Sequence, residues 1–243
     1  MAATAIFDAC ALFGPWPQHH DLTLDALLAT LNSSNVSRAL TLSTLGIYGD
    51  FRAGNAATLE ACRAHADKLV PVATLDPRVY PVCLDEAEAC AKAGFKLIRF
   101  FPGRQGWPLA FAPFRELLQR CDALKLTVAV EVSRPGDATE LADAVAFTQS
   151  PLLLAGVTSE NLGEAIAVLR SGAKFHLETT LLMAPGSLEA VATHVPNGHE
   201  RLVFASYSPL RYFSSALNTV GAAAIAGEHK AAVIGANLAR LMR

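Results

Sequence analysis

Eight short apolar runs recur along the chain, separated by stretches in which apolar residues return every three or four positions. Nearly continuous apolar runs are typical of strands buried on both faces, whereas the longer spacing indicates amphipathic helices. The predicted strands are TAIFDA (4–9), RALTLS (38–43), LVPVATL (69–75), FKLIRFF (95–101), LTVAVEV (126–132), PLLLAGV (151–157), KFHLETT (174–180) and RLVFAS (201–206).

Each of these strands is followed by a stretch with helical periodicity, which after the eighth strand is the terminal segment IAGEHKAAVIGANLARLM. The first spans 21–34, with Asp21 or Thr23 as the predicted N-cap, and the others are 56–68, 84–94, 111–124, 138–149, 159–172 and 187–196. Strands that alternate with helices predict a parallel sheet, and eight such units predict a (β/α)8 TIM barrel formed by one domain, residues 1–243. A doubly wound open sheet is the alternative. It predicts a G-x-G-x-x-G motif after the first strand, where the sequence has ACALFG.

The composition fits a large buried core and gives no sign of a polyanionic partner. Of 243 residues, 52% are hydrophobic and 17% charged, with a formal net charge of −2. We therefore expect no nucleic acid and no membrane as partner. The start MAATAIFDAC lacks the features of a signal peptide, and the five cysteines form no C-x-x-C pair. We expect a cytoplasmic protein with reduced thiols.

Two charged residues interrupt neighbouring apolar strands at positions whose parity points them into a barrel. Arg99 lies within LIRFF and Glu131 within VAVEV. A buried guanidinium requires an anion, so the sequence predicts an Arg99–Glu131 pair at the barrel mouth. The pair is either a structural ion pair, or a carboxylate base beside an anion-binding arginine.

Further candidates lie at the predicted strand ends, where barrel enzymes carry their chemistry. Cys10 is either a nucleophile or a small buried hydrophobe. His176 and Glu178 share one face of the seventh strand, and they are an acid–base couple, two metal ligands or satisfied core polar groups. The predicted catalytic residues are Glu131, His176, Cys10 and Tyr207, and the predicted substrate-binding residues are Arg99, Asp8, Glu178 and Ser206.

Four segments, in order along the chain, resemble the amidohydrolase-related metal-dependent hydrolases, or amidohydrolase family 2. They are LVPVATLDP, AGFKLIRFFP, ERLVFASYSPL and AAVIGANLARLM. This family includes carboxymuconate-semialdehyde and resorcylate decarboxylases and pyrone-dicarboxylate lactonase. The resemblance implies a TIM barrel with a divalent metal bound at the strand ends.

The metal ligands that the resemblance implies are missing from the sequence. The family's two N-terminal histidines fall on Cys10 and Leu12, the strand-5 histidine on Glu131, the strand-6 histidine on Gly156, and the strand-8 aspartate on Tyr207. Leucine, glycine and tyrosine are not ordinary ligands for zinc or manganese at neutral pH. We therefore predict no metal and no cofactor.

Three hypotheses for the function remain open at this point. The first is a metal-independent hydrolase (lactonase-like) or decarboxylase that acts on a small carboxylate-bearing molecule, with Arg99 holding the anion, Glu131 or His176 as the base and Tyr207 as a donor to an oxyanion. The second is a non-catalytic binding or regulatory module. The third is an alternative metal site built from Asp8, Cys10, Glu131 and Glu178.

The barrel mouth separates the first two hypotheses. A cavity that Arg99 and Glu131 face favours binding of a small anion, whereas a mouth filled by Leu12, Phe13 and Tyr207 favours an inert module. The apolar C-terminal segment IAGEHKAAVIGANLARLM also suggests a possible homodimer contact.

Overall fold

A computed structural model describes residues 5–17 and 20–243 of the chain. Eight parallel strands form one sheet in which each strand pairs with the next along the sequence. The strands are β1 (Ile6–Phe13), β2 (Val36–Ser43), β3 (Leu69–Thr74), β4 (Leu97–Phe100), β5 (Thr127–Glu131), β6 (Leu152–Ala155), β7 (Phe175–Glu178) and β8 (Leu202–Val203).

Backbone hydrogen bonds join the segment that follows β8 to β1. The Ala9 amide donates to the Phe204 carbonyl at 2.9 Å, and the Leu12 amide donates to the Ser208 carbonyl at 2.8 Å. The Tyr207 amide donates to the Cys10 carbonyl at 2.9 Å. This seam brings the last strand against the first, and the predicted single-domain (β/α)8 TIM barrel is confirmed.

Helices connect the strands and pack around the sheet. They are α1 (Leu24–Ser33), α2 (Leu45–Tyr48), α3 (Phe51–Ala64), α4 (Val82–Ala93), α5 (Pro102–Gln105), α6 (Ala112–Ala123), α7 (Asp137–Ala144), α8 (Leu162–Ser171), α9 (Ser187–His194), α10 (Gly198–Arg201), α11 (Phe213–Ala222), α12 (Gly227–Ala231) and α13 (Asn237–Leu241), with a π-helical segment (Ala232–Ala236) between the last two. Within the described residues, no helix combines the length and hydrophobicity of a membrane span.

Local capping explains two helix starts. The Thr23 hydroxyl accepts a hydrogen bond from the Ala26 amide at 3.1 Å, so α1 begins after the second of its two predicted caps. The α3 helix begins several residues before the predicted position 56, because the Asp50 carboxylate accepts from the Arg52 amide at 2.8 Å. The short helices α2 and α5 were not predicted, and α5 carries Arg104.

The first strand is longer than predicted and changes where Cys10 lies. The sequence pattern ended this strand at residue 9, but β1 continues to Phe13, which pairs with Ser43 of β2. A register shift between Asp8 and Ala11 marks a bulge that lets the strand bend and remain paired. Cys10 therefore lies inside the strand rather than in a loop after it.

Alternating strand residues divide the core in two. One cluster, the inner core, fills the barrel with residues such as Leu12, Leu97 and Ala129. The other lies between the sheet and the helices, where Ile98 and Val130 pack. Since Leu97 points inward, Arg99, two residues further along the same strand, points inward as well.

Candidate functional site

A cavity of about 440 Å³ opens at the carboxyl ends of the strands. This volume suits a small organic molecule. The lining includes Gly103, Ser133, Ala155, Gly156, Thr180, Leu181 and Tyr207, together with the charged residues Arg99, Arg104, Arg134, Arg211, Glu131 and Glu178. Four arginines face two glutamates, so the charged lining has an excess of positive charge.

Arg99 and Glu178 form a buried ion pair. Both side chains are at most 1% exposed. The Arg99 Nη1 donates to Glu178 Oε2 at 3.0 Å, and the Arg99 Nη2 donates both to Glu178 Oε1 and to the Ala9 carbonyl. Thr180 adds a hydroxyl hydrogen bond to the same carboxylate at 3.2 Å. The Nε of Arg99 has no hydrogen-bond partner among residues 5–17 and 20–243.

Arg104 connects three walls of the mouth. Its Nε donates to both carboxylate oxygens of Glu131, at 3.1 and 3.3 Å. Its Nη1 donates to the Tyr48 hydroxyl at 3.1 Å, and its Nη2 donates to the Tyr207 hydroxyl at 2.7 Å. These partners come from α2, from the end of β5 and from the segment after β8, so one guanidinium ties together distant parts of the chain.

The predicted Arg99–Glu131 pair is wrong, because each residue has a different partner. Arg99 lies opposite Ala129 in the ladder between β4 and β5, and Glu131 lies two residues further toward the mouth. Two residues of a strand span about 6.6 Å. Glu131 is therefore level with Arg104, whereas the carboxylate of Glu178 reaches Arg99.

Tyr207 donates to Glu131 Oε1 at 3.1 Å while it accepts from Arg104. Burial, together with the Glu131 carboxylate, raises the pKa of the Tyr207 phenol well above its ordinary value. The phenol therefore keeps its proton throughout the neutral range. The backbone at Tyr207 has φ of 61°, which non-glycine residues rarely adopt and which is common at functional sites.

Asp8 and Ser206 lie buried next to the seam between β1 and the segment after β8. Asp8 accepts hydrogen bonds from the Cys10 and Ser206 amides, at 3.0 and 2.8 Å, and from the Ser206 hydroxyl. Burial raises the pKa of Asp8 to about 6, although these hydrogen bonds act in the opposite direction. Neither residue lines the cavity, so both support the site from below.

Two predicted catalytic residues lie outside the cavity lining. Cys10 is 1% exposed and belongs to the inner core, where burial raises the pKa of its thiol well above the ordinary value in spite of Arg99. His176 accompanies Glu178 on β7, but its Nδ1 contacts the Lys174 carbonyl at 3.1 Å, toward the amino end of the strand. Burial and the nearby Arg201 lower its pKa to about 4.

Three further arginines, Arg104, Arg134 and Arg211, line the cavity, and none of them is among the predicted site residues. Arginines in loops are ordinarily solvent-exposed, so their position along the chain carried little signal. The available signal for Arg104 was its place directly after a barrel strand, where functional residues concentrate.

The donors at the positions of the implied metal ligands do not fit a divalent metal. Leu12 is fully buried in the inner core, and Gly156 offers no side chain. Gly156 also has φ of 73°, a conformation that strains other residues. Glu131 and Tyr207 are bonded to Arg104 instead. Among residues 5–17 and 20–243, no group of three His, Cys, Asp or Glu side chains could hold a metal ion.

Comparison with known proteins finds one family model and several solved structures of the same fold. A family model described as amidohydrolase matches residues 41–205. The 5-carboxyvanillate decarboxylase from Sphingomonas paucimobilis is similar over 99% of both chains, with a TM-score of 0.77 and 14% identity. No curated protein sequence matches the chain.

Two further solved structures have the same fold. A 2,6-dihydroxybenzoate decarboxylase in complex with 2,6-dihydroxybenzoate has a TM-score of 0.75 at 14% identity and covers 98% of this chain and 99% of its own. A dihydroxybenzoic acid decarboxylase from Polaromonas, with bound manganese and 2-nitroresorcinol, has a TM-score of 0.76 at 13% identity, over 98% and 97% of the two chains.

Proposed function

Since the chain belongs to the amidohydrolase family, whose model matches residues 41–205, we propose that it binds a small carboxylate-bearing molecule at the barrel mouth and releases the carboxylate as CO2 without a metal. The observation that carries this proposal is the cavity lined by four arginines and two glutamates. Guanidinium groups bind carboxylates through paired hydrogen bonds, and an enclosed site strengthens that attraction.

The side chains at the barrel mouth support a ligand-binding site rather than an inert barrel, because they leave the mouth open. Arg99 and Glu131 both line the cavity. Leu12 packs in the inner core and Phe13 between the sheet and the helices, so neither fills the opening. The orphaned Nε–H of Arg99 adds a buried donor whose burial is costly until it finds an acceptor.

Decarboxylation suits these side chains better than hydrolysis does. Hydrolysis needs a base to activate water, but Glu131 and Glu178 are each held by an arginine, and Cys10 and His176 lie elsewhere. Decarboxylation requires that the substrate carboxylate is held in place. It also requires positive charge near the electron pair that remains on the substrate when CO2 leaves. The arginines at the mouth supply both.

The proposed step moves one electron pair and one proton. The bond between the substrate carbon and its carboxylate breaks, CO2 leaves, and the electron pair stays on the substrate as a carbanion stabilised by the arginines. The Tyr207 hydroxyl then donates a proton to that carbon, and the tyrosinate recovers a proton from water. Its raised pKa keeps the phenol protonated before the step.

The first prediction concerns binding. We expect 2,6-dihydroxybenzoate or 5-carboxyvanillate to raise the melting temperature of the protein, with about 2.7 kcal/mol of stabilisation at a ligand concentration of 100 times Kd. The neutral amide 2,6-dihydroxybenzamide is the matched control, and it should have no effect because it lacks the charge. Thermal melting measures the stabilisation by each compound, and calorimetric titration measures its Kd. Equal binding of acid and amide would contradict the proposal.

The second prediction separates binding from chemistry. Tyr207→Phe removes the proposed proton donor and keeps the ring, so we expect Kd for the acid to change little while the rate of CO2 release falls by at least about 100-fold. Proton NMR of the product and CO2 detection measure the rate. Unchanged turnover in Tyr207→Phe would remove this residue from the chemistry.

A non-catalytic binding module is the second candidate, and one observation favours it. The Tyr207 hydroxyl, the proposed proton donor, is already engaged, because it donates to Glu131 and accepts from Arg104. The module predicts tight binding of a small carboxylate with no CO2 release from any acid that binds. The proposed decarboxylase predicts binding of the carboxylate and also release of CO2. Measurements of ligand binding and of CO2 release therefore distinguish the two candidates.

A further inference from the structure

Arg104, in the short helix α5, has an unusual set of partners. Its guanidinium contacts Glu131, Tyr207 and Tyr48 by hydrogen bonds. The same group lies 5.4 Å from the centre of the Trp16 ring and 5.8 Å from that of Tyr207. Both distances are in the range of cation–π attraction. The guanidinium is therefore enclosed by a carboxylate, two phenol oxygens and two aromatic rings.

The ion pair with Glu131 is partly shielded from solvent, mainly on the side of the carboxylate. The Arg104 side chain is 31% exposed and the Glu131 side chain 12% exposed. Removing water from both groups costs free energy, and each charge compensates the other only while both are present. Removal of Arg104 would therefore take away the cation that contacts the largely buried Glu131 carboxylate.

Two of these partners occupy positions that the family resemblance assigned to metal ligands. Glu131 falls on the strand-5 position and Tyr207 on the strand-8 position. They reach the mouth from different sides of the barrel and meet at one positive group. Here the positive group is an organic cation that the chain itself supplies.

We propose that the guanidinium of Arg104 is the resident cation of this site, and that Glu131, Tyr207 and Tyr48 form a seat for it. Three of its five N–H groups are engaged by the seat, and Arg104 lines the cavity, so the remaining two are available to the substrate carboxylate. The second half of this proposal rests on the proposed function. The first half, the cation seat, does not.

Chemical rescue tests the seat without any substrate. Arg104→Ala should leave a space that fits methylguanidinium, which keeps the planar fork and the charge. We expect low-millimolar methylguanidinium chloride to raise the melting temperature of Arg104→Ala saturably, by about 2–4 °C. Sodium chloride at the same concentration should not. A melting temperature of Arg104→Ala that does not respond to methylguanidinium would overturn the seat.

Matched variants control for general effects of the additive. Arg78 forms a comparable exposed pair with Asp76 at the end of β3, outside the cavity lining. Arg78→Ala and the unmodified protein should show no saturable response to methylguanidinium. Arg104→Lys keeps a positive charge in the seat, so it should fold even if Arg104→Ala does not. Because its seat is occupied, methylguanidinium should not raise its melting temperature. If methylguanidinium raised the melting temperature of Arg78→Ala as much as that of Arg104→Ala, the assignment of the seat to Arg104 would be overturned.

Carboxylate binding tests the second half. For 2,6-dihydroxybenzoate we expect Arg104→Ala to bind at least about tenfold more weakly, with recovery on addition of methylguanidinium, and Arg78→Ala to bind normally. If the unmodified protein binds no carboxylate while rescue of stability succeeds, the proposed function fails and the seat stands. If the unmodified protein binds and Arg104→Ala binds equally well, the substrate role of Arg104 is overturned.

Discussion

Glu178→Ala is expected to lower the free energy of unfolding by about 3–5 kcal/mol. Arg99 is 1% exposed and cannot release its proton, so loss of Glu178 leaves a full positive charge inside the barrel. Among the residues that the structure describes, only the Ala9 carbonyl would remain to accept a hydrogen bond from it. Urea denaturation followed by circular dichroism measures the change.

Two control variants test whether the destabilisation of Glu178→Ala comes from an unpaired buried charge. Glu88→Ala breaks the exposed Arg120–Glu88 pair and should cost less than about 1 kcal/mol. The double variant Arg99→Met/Glu178→Leu removes both charges, and it should be far more stable than Glu178→Ala because no unpaired charge is left. If Glu178→Ala costs no more than Glu88→Ala, the buried pair is not as the structure has it.

Stability should also depend on pH through Asp8. Burial raises its pKa from an ordinary value of 3.8 to about 6 in the folded protein, so folding takes up a proton between these two pH values. The contribution of Asp8 to stability is complete below pH 4 and is lost as pH rises through 6. The difference corresponds to about 3 kcal/mol. Glu178 adds to the shift, and the Cys10 and Ser206 hydrogen bonds reduce it.

Asp8→Asn isolates this contribution from other titrating groups. Asparagine can still accept from the Cys10 and Ser206 amides, and it carries no charge at any pH. We expect the stability of Asp8→Asn relative to the unmodified protein to rise by about 2 kcal/mol between pH 4 and pH 7. Chemical denaturation at each pH measures it, and a constant difference would contradict the buried, proton-binding Asp8.

Asp122 provides a control of opposite sign. Although partial burial alone would raise it, the pKa of Asp122 is lowered by the amide hydrogen bonds of Ser150 and Gln149. Its contribution to stability is therefore present at neutral pH and is lost as pH falls. Because both its folded and unfolded pKa values lie below about 4, Asp122→Asn should lose stability relative to the unmodified protein as pH rises from about 2 to 5, in contrast to Asp8→Asn.

The fold was predictable because its signals are local and repeated. Eight apolar runs with helical stretches between them leave few arrangements, since crossover connections have one hand. The ends of individual strands were harder to predict from the sequence. The continuation of β1 to Phe13 depends on a bulge and on pairing with β2, which is a tertiary property and leaves no signature in TAIFDAC.

The site was predictable in its membership more than in its pairing. Strand parity indicated that Arg99 and Glu131 point inward, and Glu178 was predicted to bind substrate; all three line the cavity. Which arginine meets which glutamate depends on how far each residue lies along its strand and on the reach of Arg104, which a sequence does not encode locally. His176 has the same parity as Glu178, and parity does not report the height of a residue within the barrel.

The contact between Asp8 and Ser206 has a consequence during translation. The two residues are separated by 198 positions, so a ribosome that adds about 5–20 residues per second needs roughly 10–40 s to deliver the second after the first. Throughout that interval β1 lacks its neighbour on one side, and an uncovered strand edge is a template for pairing with other chains. The growing polypeptide therefore depends on late-emerging residues to seal its earliest strand.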